Sequence, residues 1–135
     1  MAYSRWATAE ELKSKLTPIS YDSEIKKSGI PMMYDANNLY IKDDEAHTLV
    51  IGSTGSGKTQ SIMLPQLRLA IKAQESFIVH DVKGEIYDIL SGELKKQNYN
   101  TIVINLDDPT IGNNFNPLSL PYELYKNGQK DKAIE

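Results

Sequence analysis

The sequence has no cysteine, which excludes disulfides, thiolate metal sites and cysteine nucleophiles. It also lacks any apolar run near the ~20 residues that a membrane helix needs, so we expect a soluble chain with no direct membrane segment. Its first residues, Met1–Leu16, are too polar and charged for a secretory signal. With 15 basic and 18 acidic residues it has no excess of positive charge, which argues against a surface that coats nucleic acid generally. A local basic patch remains open.

Short apolar runs alternate with helical patterns through the centre of the chain. Residues 47–51, 76–80 and 101–106 are rich in β-forming residues, as in strands buried on both faces. Helical spacings fill Lys58–Ala73 and Gly84–Lys96 between them. This alternation predicts an α/β fold of the P-loop NTPase type, with a parallel sheet flanked by helices. Three such strands, followed by a helix that the chain end cuts off, predict an incomplete domain.

The flanking segments carry local signals. Thr8 followed by Glu11 forms a capping box and predicts a short helix. Thr17–Gly29 is polar and is predicted to be a connecting segment. Ile30–Tyr34 and Leu39–Ile41 enclose a turn-rich tetrapeptide, which predicts a small hairpin.

Proline and glycine mark breaks in the predicted helices. Pro65 lies inside the helical pattern Lys58–Ala73 and cannot donate a backbone hydrogen bond, so we expect a kink or break near Leu64. Near the chain end, Pro121–Tyr125 is predicted to begin a short helix that Gly128 breaks.

Residues 52–59 match the P-loop (Walker A) pattern G-x-x-x-x-G-K-[ST] at every fixed position. The cofactor-binding residues predicted from it are Gly52, Ser53, Thr54, Gly55, Ser56, Gly57, Lys58 and Thr59. An apolar run precedes the motif and a helical pattern follows it, as a P-loop requires. Its glycines permit backbone angles that other residues avoid, and backbone amides at the positive end of a helix form a cradle for anions.

The motif predicts ATP and Mg²⁺ as cofactors. The Lys58 ammonium is expected to reach the β- and γ-phosphates and to offset charge in the transition state, and the Thr59 hydroxyl is expected to ligate Mg²⁺. ATP is preferred to GTP because the chain has no N-K-x-D sequence that would recognise guanine.

Hydrolysis requires further groups around this cradle. Asp81 ends the apolar run 76–80 and is a candidate for a second acid on the Mg²⁺ side. Its alternative role is to cap the helix that follows. Glu85 is a candidate for activating water, or else an exposed residue in the first turn of that helix.

Several stretches together resemble the type IV secretion system coupling proteins, the TraG-type ATPases of conjugal DNA transfer. The resemblance rests on Ser4–Thr8, His47–Thr59, Asp81–Glu85 and Asn114–Leu118, in that order. The chain departs from the family pattern at Val82, where a proline is usual.

This resemblance implies a RecA-like motor domain that forms a homo-hexamer on the cytoplasmic side of the cell membrane. ATP hydrolysis in such proteins drives single-stranded DNA, or a relaxase-bound strand, into the channel formed with other secretion-system components. By the same resemblance, the Asp81–Glu85 block lies by the nucleotide or a subunit interface, and Asp81 is not the second Mg²⁺ acid.

The resemblance also predicts that the chain is the front part of a motor. The division is then an N-terminal segment 1–29, a partial nucleotide-binding core 30–118, and the start of a helical domain at 119–135. Two alternatives remain open. One is a small self-contained P-loop phosphotransferase or NTPase that uses Asp81, against which the lack of an arginine cluster speaks. The other is a non-catalytic remnant.

Overall fold

The computed structural model describes residues 4–134, with side chains as far as Lys132, and divides the chain into the compact units Met1–Tyr99 and Asn100–Glu135. The first unit contains α1 (Ala9–Lys13), β1 (Thr17–Ser20), β2 (Ile30–Tyr34), β3 (Asn38–Lys42), a π-helical segment (Thr59–Met63), α2 (Leu64–Lys72) and α3 (Glu85–Lys96). The second contains α4 (Ser119–Lys126) and α5 (Lys130–Ile134). Because these units reflect compactness alone, the boundaries predicted at residues 29 and 118 stay predictions.

Helix α1 begins where the capping box predicts. The Thr8 hydroxyl accepts a hydrogen bond from the Glu11 amide at 3.3 Å, and the Glu11 carboxylate accepts one from the Thr8 amide at 2.8 Å. Two amide groups that the first helical turn cannot pair are thereby satisfied. The predicted helix is confirmed.

The sheet is antiparallel, with strand order β1-β3-β2. Strands β2 and β3 form the predicted hairpin. The prediction of a connecting segment was wrong over Thr17–Ser20, which pairs with β3. This edge strand lacks the alternation of apolar and polar residues that signals a strand. Only Ile19 is half-buried, and the neighbouring Pro18 is exposed. Thr17–Ser20 is therefore a strand because it pairs with β3, and the local sequence gives no sign of that pairing.

The core of the first unit lies between α2 and α3. Five apolar side chains form it: Leu64, Ile71, Ile86, Leu90 and Leu94. Ile71 and the three residues of α3 belong to the helical spacings that predicted these elements, and Leu64 joins them in the core. Phe77, Val79 and Tyr99 pack against this cluster from the neighbouring chain segments.

The central apolar runs differ from their prediction as strands. Within residues 4–134, no strand forms over 47–51 or 76–80, and in 101–106 an isolated bridge joins Ile104 to Gly112. The run 76–80 is half-buried at alternate positions, and Ile78 is fully exposed at 101%. A strand is stabilised by hydrogen bonds to a neighbour, and the structure pairs none of these runs in a ladder. The sheet that does form is antiparallel, and the parallel sheet stays a prediction.

The second unit is held by local contacts. The Asn113 amide donates to Val103 O at 2.7 Å, and its side-chain oxygen accepts from the Val103 amide at 2.9 Å. Helix α4 covers the predicted Pro121–Tyr125 and ends before Gly128, whose φ of 79° lies in the left-handed region. In neither unit does a described helix combine the length and the apolar composition needed to cross a membrane.

Candidate functional site

The loop Gly52–Thr59 has a backbone that depends on glycine. Gly55 and Gly57 have φ angles of 80° and 81°, which side-chain-bearing residues rarely adopt. Gly52 is needed for a different reason, because a Cβ atom there would lie 2.6 Å from the Ser56 hydroxyl oxygen. The loop is therefore closely packed where Gly52 meets Ser56, and it turns through left-handed angles at Gly55 and Gly57.

Lys58 folds back across this loop. Its ammonium donates hydrogen bonds to Gly52 O at 2.6 Å and Ser53 O at 2.9 Å, and it lies 3.5 Å from the Ser56 hydroxyl. These contacts hold a positive charge at the start of the loop. Carbonyl partners compensate that charge only in part, so the ammonium remains able to attract an anion.

Several polar groups of the loop remain available to a ligand. The Ser56 amide bonds to Ser53 O at 3.2 Å, closing a turn within the loop. Over the described residues, the amides of Thr54, Gly55 and Gly57 form no intramolecular hydrogen bond. The Thr59 hydroxyl likewise has no protein partner in that part of the chain.

This donor set fits the phosphates of a nucleotide together with Mg²⁺. Free amides and an ammonium are the groups that bind phosphate oxygens. A free hydroxyl at Thr59 is a hard oxygen ligand of the kind that Mg²⁺ takes when it also binds phosphates. The fit follows from the free donors of the loop.

The helix after the loop begins in an unusual register. The Leu64 amide donates to Thr59 O, an i→i+5 bond that makes Thr59–Met63 π-helical. The α-helical register resumes at Leu64, with Pro65 in its first turn. The sequence predicts a kink or break near Leu64; the structure has a change of hydrogen-bond register at that residue, and the helix continues through it. Pro65 was the available signal, because π-turns and prolines are both common causes of helix irregularity.

Asp81 lies at the start of α3. Its Oδ2 atom accepts hydrogen bonds from the amides of Ile86 at 2.9 Å and Tyr87 at 3.0 Å. Gly84 reverses the chain between them with a φ of 74°. This geometry matches the capping role that the sequence left open. The catalytic role of Asp81 stays a prediction.

Glu85 is the first residue of α3 and is largely exposed. Its carboxylate forms a surface ion pair with Lys83 at 3.7 Å. For the chain between residues 4 and 134, no hydrogen bond or ion pair joins Asp81 or Glu85 to the loop Gly52–Thr59. The structure therefore links the loop residues to one another and places the two acids in a separate helix start.

The chain matches a known protein family over most of its length. A family model described as type IV secretory system conjugative DNA transfer matches residues 5–132. The chain belongs to this family. No curated protein and no solved structure matches the chain significantly.

Family membership confirms the resemblance inferred from four separated stretches. The match to the conjugative DNA transfer family spans both the loop Gly52–Thr59 and the Asp81–Glu85 block. It relates the chain to conjugative DNA transfer by a type IV secretory system. The P-loop by itself would not have selected a family, because many unrelated proteins carry one.

Proposed function

We propose that the chain binds ATP with Mg²⁺ at Gly52–Thr59 as the nucleotide-binding part of a motor for conjugative transfer. The carrying observation is the glycine-dependent loop across which Lys58 holds its ammonium. The free amides of Gly55 and Gly57 add donors on the same loop. Together these groups supply positive potential on one loop, which favours a phosphate-bearing ligand.

Binding requires Lys58 to exchange partners. Its ammonium has three protons, and their partners in the loop are Gly52 O, Ser53 O and, at 3.5 Å, the Ser56 hydroxyl. A phosphate oxygen therefore has to displace one of these partners, most readily the distant Ser56 hydroxyl. The Thr59 hydroxyl is the group that would hold Mg²⁺, which when bound offsets charge on the phosphates.

The contacts of Asp81 weigh against the alternative in which it is the catalytic acid of a self-contained enzyme. Because its carboxylate caps α3 through two amides, it is committed to a structural role in this conformation. We expect the isolated chain to hydrolyse ATP poorly, whether it is part of a motor or a non-catalytic remnant. A self-contained phosphotransferase that uses Asp81 would have to give up this cap.

The wider role in the secretion system follows from family membership together with the proposed site. We propose that single-stranded DNA, a relaxase or effector, and other secretion-system components are partners of the assembled motor. A homo-hexamer on the cytoplasmic side of the membrane is the proposed assembly.

Calorimetric titration of ATP–Mg²⁺ tests the binding site. Lys58→Ala removes the ammonium, so we expect affinity to fall by at least about tenfold, the equivalent of ~1.4 kcal/mol. Lys72→Ala is the matched control, because Lys72 is an exposed lysine at the far end of α2. It should bind like the unmodified chain. Equal affinity in all three proteins would contradict the assignment of the ATP site to Gly52–Thr59.

A further inference from the structure

The turn between the P-loop and α2 is the least regular part of the first unit's helices. A continuous α-helix would pair the Leu64 amide with Gln60 O, whereas the structure pairs it with Thr59 O. One extra residue is thus accommodated in the turn directly after Lys58. Such π-turns are rare, and they occur frequently at functional sites.

Pro65 explains why the extra residue is retained. In an unbroken α-helix its nitrogen would face Ser61 O, to which it cannot donate, and its ring would clash with that carbonyl. At the beginning of α2 the missing N–H is tolerated. Widening the preceding turn to the π-helical register relieves the conflict without ending the helix.

The packing of the side chains indicates which side of Leu64 can change its hydrogen-bond register. Leu64 and Ile71 are each 2% exposed and lie in the core with α3, so α2 is fixed from Leu64 onward. Gln60, Ser61 and Met63 are exposed, Thr59 and Ile62 are half-buried, and none of the five is in the core, so the preceding turn is less constrained than α2. Any change at Pro65 is therefore transmitted toward Thr59.

We propose that Pro65 is a positioning residue of the nucleotide site, acting through Thr59. By holding Thr59–Met63 in the π-helical register, it sets the direction of the Thr59 hydroxyl toward Mg²⁺. The inference rests on the proposed function of Gly52–Thr59. Moving one residue along an α-helix rotates its side chain by about 100°, so a return to the α register would turn Thr59 away.

The test compares ATP affinity with Mg²⁺ and with EDTA. Pro65→Ala restores an N–H and removes the ring that would clash with Ser61 O in an unbroken α-helix. The α-helical register then becomes available. We expect the gain in affinity from Mg²⁺ to fall by about tenfold, as is typical when a metal ligand loses its orientation. Affinity in EDTA should not change, because the amides and Lys58 still bind phosphate.

Pro121→Ala is the matched control, since Pro121 also lies in the first turn of a helix, α4 of the second unit. It should keep the Mg²⁺-dependent gain of the unmodified chain. An unchanged gain in Pro65→Ala would overturn the positioning role while leaving the proposed function standing. An equal loss with Mg²⁺ and with EDTA would also overturn it, because it would report a damaged loop. Absence of ATP binding in the unmodified chain would contradict both the proposed ATP site and the positioning role of Pro65.

A second measurement does not depend on how well the variant folds. Hydrogen-bond scalar couplings in the unmodified chain identify the carbonyl paired with the Leu64 amide. We expect a coupling to the Thr59 carbonyl carbon. A coupling to the Gln60 carbonyl carbon would show an α-helical register and overturn the inference.

Discussion

At the scale of single residues, Asp35 makes the most concentrated set of polar contacts outside the loop. Its carboxylate accepts hydrogen bonds from Lys13 at 2.6 Å, from the Tyr40 hydroxyl at 2.9 Å, and from the amides of Asn37 and Asn38. The Lys13 ammonium, followed by the Asn37 amide and the Tyr40 hydroxyl, holds the pKa of Asp35 well below its ordinary value of 3.8. Asp35 thus ties α1 to the turn between β2 and β3.

Acid should weaken this connection in a predictable direction. A carboxylate whose pKa is depressed on folding stabilises the protein above its unfolded pKa, and that stabilisation is lost as pH falls through the folded value. We expect Asp35→Asn to lower stability at pH 7 and to reduce the loss of stability below about pH 4. Denaturant unfolding at pH 7 and pH 3 measures both effects.

Asp22→Asn is the control for this experiment, because Asp22 is exposed and makes no side-chain hydrogen bond or ion pair among the described residues. Its unfolding should follow the unmodified chain at both pH values. If Asp35→Asn did the same, the contacts around Asp35 would contribute nothing to the stability of this unit.

At the scale of elements, helices followed from the sequence more closely than strands did. Leu90 and Leu94 share one face of α3 because a helix repeats every 3.6 residues, and that period is visible locally. Strand β1 has no comparable signal, because Thr17–Ser20 becomes a strand only through β3. The π-helical segment was likewise hidden, since Pro65 indicates a break but does not say which register relieves it.

Two glycines of the α3 region give opposite predictions. Gly92 lies inside α3 with no atom within 4 Å of an added Cβ, so Gly92→Ala should raise the free energy of unfolding by ~0.5–1 kcal/mol. Gly84 is equally open, but its φ of 74° strains any side-chain-bearing residue. Gly84→Ala should therefore destabilise the chain. Urea unfolding of both variants checks the pair, and stabilisation by both would contradict the left-handed turn before α3.

At the scale of the whole molecule, the family, the local motif and the β2–β3 hairpin were predictable, whereas the pairing of β1 with β3 was not. The loop Gly52–Thr59 is recognisable because its glycines and Lys58 are needed locally, whatever surrounds them. The runs 47–51, 76–80 and 101–106 depend instead on hydrogen bonds between distant parts of the chain, which local composition cannot specify. Asp81 shows the same limit, because its position after an apolar run is compatible with an acid for Mg²⁺ as well as with a helix cap.

The most direct test of the account observes the loop amides themselves. In a ¹H–¹⁵N NMR titration with ATP–Mg²⁺, hydrogen bonding to phosphate should shift the amide protons of Gly55 and Gly57 downfield, while that of Gly92 in α3 stays in place. Saturable downfield shifts at Gly55 and Gly57 that disappear in Lys58→Ala are the predicted result. Unmoved Gly55 and Gly57 signals at saturating nucleotide would contradict the claim that this loop binds phosphate.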